Sequence, residues 1–461
     1  MAAGGVFQST TFKLLGLGFL TLLMLIPLGM VSGLRSERES RRSEAEDNIA
    51  ASWGTATRVT GPVLAVPHRQ VVVTKKVSSE VWTWWYLLPE QLSAKTAIVV
   101  SERSKGIFRM PVYEADIVLS GHFASPATQL THGQGEMMWA QAELLLPVAE
   151  PRGLRGLHVR VGDQVDVRLT PSARSLGGMP VFRSAPLRHD PQQSLQFELD
   201  LKQAGTRLLD FVPMARNFSA SVQAQWPDPD FFGATLPMAR PHTKPGSFAA
   251  DWQVLEYNRS FPSVWSEGDL DINALNQSAF GVRLYRSADV YLQNERSTKY
   301  GLLFIALTFG VFFLFETLQR LRVHPVQYLL VGTALATFYL VLLAASEHIS
   351  FALAYLLGVV ALLLIVGGYC SAILRSWRRG LGIVLWLALL YGVLLVLITR
   401  EDFALAMGSG VVLLLIAATM FLTRKVDWYG LGAGETAAPG ARNPDAFDAT
   451  RPPKSSDVIE G

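Results

Sequence analysis

The chain has 461 residues, of which 50% are apolar and 17% are charged, whereas a soluble domain usually carries about 25% charged residues. The 41 basic and 38 acidic residues are unevenly placed, because 29 and 28 of them lie between Arg35 and Lys299. This distribution excludes a single globular domain and a disordered chain, and it predicts a membrane protein with a soluble middle. The near-neutral middle has no long basic run, so nucleic acid is not an expected partner.

The first apolar flank predicts one membrane-spanning helix. Residues 14–34 carry no charge, and 21 residues at 1.5 Å each reach about 31 Å, enough for a bilayer core. Charged residues follow at 35–39, where a signal peptide would need small residues for cleavage, so we expect an uncleaved anchor. Pro27 should kink this helix.

Residues 35–300 predict a large β-rich domain inserted between the first and second spans. Short runs rich in β-branched and aromatic residues, separated by Gly and Pro, favour an antiparallel, sandwich-like architecture. The predicted strands are residues 59–66, 70–77, 80–88, 96–101, 113–123, 157–169, 194–202, 219–225, 249–257 and 281–284. Residues 35–49, which are dense in Ser, Glu and Arg, predict a polar helical stalk before the first strand.

Three aromatic residues of one predicted strand, Trp82, Trp84 and Tyr86, recur at every second position. They should therefore share one face of the strand. Two interpretations remain open. The residues could form a stripe in the core, or they could form an exposed surface that contacts sugars, peptidoglycan or lipid headgroups.

The last third of the chain predicts five more spans, which makes six in total and an α+β membrane protein. The five are residues 301–318, 326–346, 351–374, 381–398 and 403–423, a bundle that covers 301–423. Short connections require consecutive helices to pack as antiparallel neighbours. Beyond residue 430 the chain is rich in Gly, Ala, Pro, Asp and Ser. Residues 424–461 therefore predict a mostly disordered tail.

The basic residues of the short loops predict the orientation. With residues 1–13 in the cytoplasm, only one basic residue of the short loops, Arg400, falls outside. Seven fall inside, namely Arg320, Arg322, Arg375, Arg378, Arg379, Arg424 and Lys425. By the positive-inside rule both termini are cytoplasmic and the large domain is on the opposite side.

Four polar residues of the bundle are candidates for function. Glu316 lies one turn before Arg320 and could pair with it, or it could face the interior and relay protons or bind a cation. Glu347 and His348 occupy a tight outer turn, as a titrating site or as a polar cap of two helix ends. His324 precedes Pro325 as a polar residue at a helix start. No metal site, cofactor or catalytic motif is predicted, and the single cysteine, Cys370, has no partner thiol.

Several motifs are similar to those of the CreD family of bacterial inner-membrane proteins. They include Thr-Lys-Tyr at 298–300, Phe-Phe-Leu-Phe-Glu-Thr at 312–317, His-Pro-Val-Gln-Tyr at 324–328, Ser-Glu-His at 346–348 and Asp-Trp-Tyr at 427–429. In the large domain the resemblance continues through Gly61-Pro62, Val212-Pro213 and Trp226-Pro227. It covers the chain from about the first span to Tyr429, and the tail from Gly430 exceeds it.

The resemblance implies an inner-membrane protein of a Gram-negative bacterium, with a periplasmic domain and a link to cell-envelope integrity under envelope stress. It brings no catalytic site. We therefore expect a non-enzymatic envelope-integrity protein whose periplasmic domain contacts an envelope component or a protein. The alternative is a transporter or channel whose pathway in the bundle includes Glu316.

Overall fold

The computed structural model describes residues 10–74, 77–130, 135–238, 246–284, 290–318, 323–374 and 376–399, and isolated positions between 409 and 424. The chain divides into two compact units. A helical unit comprises Met1–Arg35 and Val290–Gly461, and a β unit comprises Ser36–Asp289.

The described helices include five stretches that are long and apolar enough to cross a membrane, one near the amino terminus and four near the carboxyl terminus. The sixth predicted span, residues 403–423, lies almost entirely outside the described residues. The helices are α1 (Thr10–Leu23), α2 (Leu25–Trp53), α3 (Pro126–Gln129), α4 (Ile272–Gln277), α5 (Val290–Leu318), α6 (Pro325–Ser346), α7 (Phe351–Ile373) and α8 (Trp377–Thr399).

The first span is interrupted where Pro27 predicts a kink. A proline has no N–H to donate, and its ring clashes with the carbonyl four residues earlier, which here belongs to Leu23. The helix α1 ends at Leu23, and α2 begins at Leu25. From there α2 continues through the polar segment to Trp53, so the segment predicted as a helical stalk is helical.

The core of the helical unit is built from α1, α2 and α5 to α8. It includes Leu28, Phe309, Leu342 and Leu387, all buried. The predicted span at 301–318 is the second half of a longer helix, because α5 begins at Val290. The first turns of α5 contribute polar side chains that form a hydrogen bond with α6.

The β unit contains three sheets formed by seventeen described strands. The strands are β1 (Thr57–Val59), β2 (Val63–Thr74), β3 (Val77–Leu87), β4 (Gln91–Lys105), β5 (Phe108–Phe123), β6 (Glu136–Met137), β7 (Glu143–Pro147), β8 (Leu154–Val161), β9 (Thr170–Leu176), β10 (Met179–Arg183), β11 (Leu195–Thr206), β12 (Leu208–Phe211), β13 (Asn217–Ala224), β14 (Pro229–Gly233), β15 (Phe248–Leu255), β16 (Val264–Ser266) and β17 (Phe280–Leu284).

The three sheets enclose a common core. One sheet has the order β1-β12-β17-β14, a second β16-β3-β2-β7-β10-β9 with β6 beside β2, and a third β15-β13-β4-β5-β11-β8. Side chains of all three, such as Phe211, Leu144 and Leu119, belong to one buried cluster. The antiparallel prediction holds for most pairs, but β1 pairs with β12, and β4 with β13, in parallel.

Three strand predictions are wrong in their extent. The run 70–77 was expected to be one strand, but β2 ends at Thr74 and β3 begins at Val77. The run 59–66 was expected to be one strand, but β1 ends at Val59, and β2 starts at Val63 in another sheet. Pro62 cannot donate to a ladder, and a side chain at Gly61 would collide with the Leu92 side chain. The run 157–169 ends as a strand at Val161, because Gly162 turns the chain with φ +54°.

A cluster of aromatic rings lies in the β-unit core. The ring of Trp252, on β15, lies between 5.6 and 6.3 Å from those of Phe211, Phe231 and Phe280, measured between centroids. Trp252 is almost completely buried. These contacts join the first sheet to the third, because Phe211 and Phe280 lie on β12 and β17.

Candidate functional site

The hairpin of β2 and β3 carries the aromatic residues that the sequence singled out. Among the described strands, β7 pairs with residues 63–65 of β2, and β16 pairs with residues 85–87 of β3. The outer part of the hairpin is therefore a narrow ribbon, apart from a two-residue pairing with β6 at residues 68–69. Trp82, Trp84 and Tyr86 share one face of β3 but differ in exposure along this ribbon.

Tyr86 belongs to the core. It is 7% exposed, and its ring stacks on Trp265 with 5.7 Å between centroids. Burial raises the pKa of its hydroxyl, and the nearby Glu267 raises it further, while Arg174 opposes the shift. The core interpretation is thus confirmed for Tyr86.

Trp84 is half-buried beneath a network of charged side chains. The guanidinium of Arg174 lies 3.6 Å from the centroid of its ring, a cation–π contact. Arg174 and Arg183 both donate to the buried carboxylate of Glu143, at 3.3 and 3.0 Å. These residues come from β9, β10 and β7, so no local sequence pattern indicates that they meet.

Trp82 is 49% exposed, and it lies on what we call the ribbon surface, defined by Trp82, Arg69, Val71, Glu80 and Glu136. Arg69 is directly across from Trp82 in the ladder. It pairs with Glu136 at 3.0 Å and with Glu80 at 3.6 Å. An exposed indole beside donors and acceptors can contact a ligand that is apolar on one side and polar on the other.

In the helical unit, Glu316 is 5% exposed and its carboxylate faces the bundle interior. Lys13 Nζ donates to Oε1 at 2.8 Å, the Tyr328 hydroxyl donates to Oε2 at 2.9 Å, and the Val323 N–H approaches Oε1 at 3.3 Å. Arg320, the partner expected from the sequence, lies outside the described residues. The structure thus joins Glu316 to Lys13 of α1, which lies 303 positions earlier in the chain.

His324 caps the start of α6. Its Nδ1 accepts from the Val326 N–H at 3.3 Å, and its own N–H donates to the side-chain oxygen of Gln327 at 3.1 Å. Pro325 occupies the first helical position, where its missing N–H costs nothing. This is the arrangement that the sequence predicts for a polar residue at a helix start.

Glu347 and His348 lie at the end of α6, as predicted. Glu347 is the C-cap residue that follows α6, and its Oε1 accepts from the Tyr291 hydroxyl at 3.1 Å. His348 is exposed, and its backbone N–H donates to Ala345. Within the described residues no three His, Cys, Asp or Glu side chains are close enough to hold a metal ion.

A polar contact that the sequence analysis missed joins α5 to α6. Asn294 Nδ2 donates to Ser346 Oγ at 2.9 Å, and Ser297 Oγ donates to the Asn294 carbonyl at 2.8 Å. All three side chains are buried. Asn294 and Ser297 are three positions apart, a spacing that places both on one face of a helix. This spacing was the sequence signal that could have indicated the contact.

The buried polar residues of α5 form two separate groups along that face. Ser297 and Thr308 are eleven residues apart, or about 16 Å along the helix, and the fully buried Phe304 and Ile305 lie between them. Thr308 Oγ1 bonds to the Phe304 carbonyl of its own helix at 2.8 Å. On the described part of α5, the Asn294 group and Glu316 are therefore separated by apolar side chains.

Comparison with known proteins accounts for nearly the whole chain. Residues 9–429 match the family model described as Inner membrane protein CreD. The chain belongs to the CreD family. Inner membrane protein CreD of Escherichia coli (strain K12) is 32% identical to it over 426 residues, which cover 91% of this chain and 93% of that protein. This CreD family member is accordingly a multi-pass inner-membrane protein, and its tail from Gly430 lies beyond the family match.

Proposed function

We propose that this CreD family protein supports cell-envelope integrity and tolerance of envelope stress without catalysing a reaction. In this proposal both termini are cytoplasmic, the β unit lies in the periplasm, and the ribbon surface contacts an envelope component or another protein. The helical unit anchors that contact. The seven basic residues expected on the cytoplasmic side support the orientation.

The observation that carries the proposal is the change of exposure along one strand face. Tyr86 is buried, whereas Trp82 leaves about half of its indole in solvent. Large aromatic side chains are enriched in the energetically important parts of interfaces, where they bury much area with little loss of conformational entropy. Trp82 is held on a paired strand opposite Arg69, so it is already positioned for contact.

A photocrosslinking amino acid at Trp82 tests this contact in growing cells. We expect the full-length protein to capture a defined envelope component or protein from this position. The Trp82→Ala variant should reduce tolerance of envelope-damaging agents toward that of a deletion strain, because the anchor side chain is lost. The readouts are the crosslinked product and survival at equal protein abundance.

Tyr257 is the matched control, since it is the more exposed of the two aromatic residues. A crosslinker there should not give the same product, and Tyr257→Ala should leave tolerance unchanged. Equal capture from both positions, together with normal tolerance of Trp82→Ala, would exclude the ribbon surface as the contact.

The burial of a carboxylate inside the bundle favours a second candidate function, transport through a pathway that includes Glu316. Ionisable groups within membrane bundles often mark such pathways. The apolar stretch between Ser297 and Thr308 on the described face of α5 argues against a continuous polar route along that helix.

The Glu316→Gln variant discriminates the two functions. Under the leading proposal, proton leak and solute uptake into vesicles should be unchanged, because the amide can still accept from Tyr328 while carrying no charge. A flux that depends on the protein and falls at least tenfold in Glu316→Gln would instead support transport. Protein abundance and orientation in the vesicles are measured in the same samples.

A further inference from the structure

One long strand of the third sheet extends past its neighbour and leaves an open edge. The strand β13 pairs with residues 91–98 of β4, whereas β5 pairs with β4 as far as Lys105. Residues 99–105 of β4 therefore have a strand on one side only, among the strands that the structure describes. At about 3.4 Å per residue these seven positions extend roughly 24 Å.

A groove of about 530 Å³ lies beside the start of this edge. It is lined by residues 97–100 of β4, 223–225 at the end of β13 and 247–249 at the start of β15. The groove thus lies in line with β13, where a further strand would continue the sheet. Its lining includes the apolar side chains of Ile98, Val100 and Phe248.

The open edge of β4 is held in place by its partner strand β5 and by α2. Met110 and Val112 of β5 are buried against Ile49 of α2, in a small cluster that Trp53 completes. The guanidinium of Arg103 lies 4.5 Å from the centroid of the Trp53 ring. An edge that is already ordered loses little entropy when a partner binds.

The chemistry of the edge indicates the kind of partner. Unpaired main-chain N–H and C=O groups are best satisfied by another strand, the mode of recognition known as strand addition. Arg103 and Lys105 share one face of β4, and Glu102 lies on the opposite face. Neither cation makes an ion pair among the described residues, so that face of the edge offers two cations to carboxylates. A second copy of this chain fits poorly, because the two-fold antiparallel register that uses all seven residues sets Glu102 against Glu102.

We propose that residues 99–105 of β4, with the adjoining groove, bind an extended acidic segment of another polypeptide as an added strand. This surface is separate from the ribbon surface, and the proposal goes beyond the envelope role proposed above. The main chain of the ligand pairs with β4, and its carboxylates lie near Arg103 and Lys105.

The test uses phage that display random seven-residue peptides, selected on the full-length protein in detergent. We expect enriched peptides with β-branched residues and Asp or Glu. Methylation of single main-chain nitrogens should weaken binding about tenfold at alternate positions and little at the others, because only alternate N–H groups of a strand point toward its neighbour.

Two substitutions with nearly equal exposure provide the control. Val99 is 69% exposed and Val165 is 70% exposed, so neither change to Glu should affect folding, which thermal unfolding verifies. Val99→Glu places a carboxylate beside the groove and should weaken the acidic peptides at least tenfold, whereas Val165→Glu should not. The proposal is overturned if no peptide is enriched, if the methylation pattern does not alternate, or if Val99→Glu binds as wild type. It is also overturned if a short bismaleimide crosslinks a Ser101→Cys, Cys370→Ala protein to its own second copy in membranes, because residue 101 lies beside the axis of the rejected two-fold register.

Discussion

The Lys13→Ala variant is expected to destabilise the helical unit by about 2 to 3 kcal/mol. Removing one partner of a fully buried ion pair costs about 3 to 5 kcal/mol, because a charge remains uncompensated. Here the cost should be smaller, since Lys13 is 41% exposed and Glu316 keeps the Tyr328 hydroxyl as a donor. The measurement is chemical or thermal unfolding of the full-length protein in detergent, monitored through the loss of helical structure.

The double variant Lys13→Ala, Glu316→Gln should recover most of this loss, to within about 1 kcal/mol of wild type, because no buried charge remains. Lys299→Ala is the matched control. Lys299 also pairs with a glutamate, Glu295, at 2.8 Å. Lys299 is exposed, and Glu295 keeps Arg35 as a partner, so this pair within one helix should contribute at most about 0.5 kcal/mol. If Lys13→Ala and Lys299→Ala have the same unfolding midpoint, the contact between Lys13 and Glu316 does not stabilise the bundle.

The Trp252→Ala variant is expected to lower the free energy of unfolding of the β unit by about 3 to 5 kcal/mol. The indole, on the third sheet, contacts aromatic rings from three strands of the first sheet, so its removal leaves a cavity that the paired strands cannot easily fill. Pulse proteolysis of the full-length protein across a urea series measures the change.

Two further variants separate packing from other effects of this change. Trp252→Phe keeps an aromatic ring and should lose clearly less stability than Trp252→Ala. Tyr257→Ala removes an exposed ring and should stay within about 0.5 kcal/mol of wild type. A Trp252→Ala protein with the wild-type urea midpoint would show that the ring cluster does not hold the first and third sheets together.

Local sequence signals were sufficient where the structure depends on neighbouring residues. The apolar length of residues 14–34 predicts a span, and Pro27 predicts the break that the structure has after Leu23. The same holds for the polar helix before Trp53 and for His324 at the start of α6. Each depends on hydropathy, backbone geometry or capping within a few residues.

Strands without alternation were harder to predict. All five residues of β7 are buried, and a short continuous apolar run has no periodicity to distinguish a strand from other buried structure. The division of residues 59–66 into two strands at Gly61-Pro62 was also not predicted. The reason is that β1 belongs to a different sheet from β2 and pairs in parallel with β12. Parallel pairing joins residues about 150 positions apart, and no local pattern indicates it.

From its sequence alone, this protein could be recognised as a membrane protein with a β-rich insertion, because spans, breakers and alternation are properties of short segments. The resemblance to the CreD family came from motifs such as His-Pro-Val-Gln-Tyr at 324–328. Tertiary structure decided which side chains meet and which remain exposed. It brings Lys13 to Glu316, gathers Arg174, Arg183 and Glu143 from three strands, and buries Tyr86 while leaving Trp82 in solvent. Those outcomes depend on contacts between residues far apart in the chain, whose geometry is set only when sheets and helices pack together.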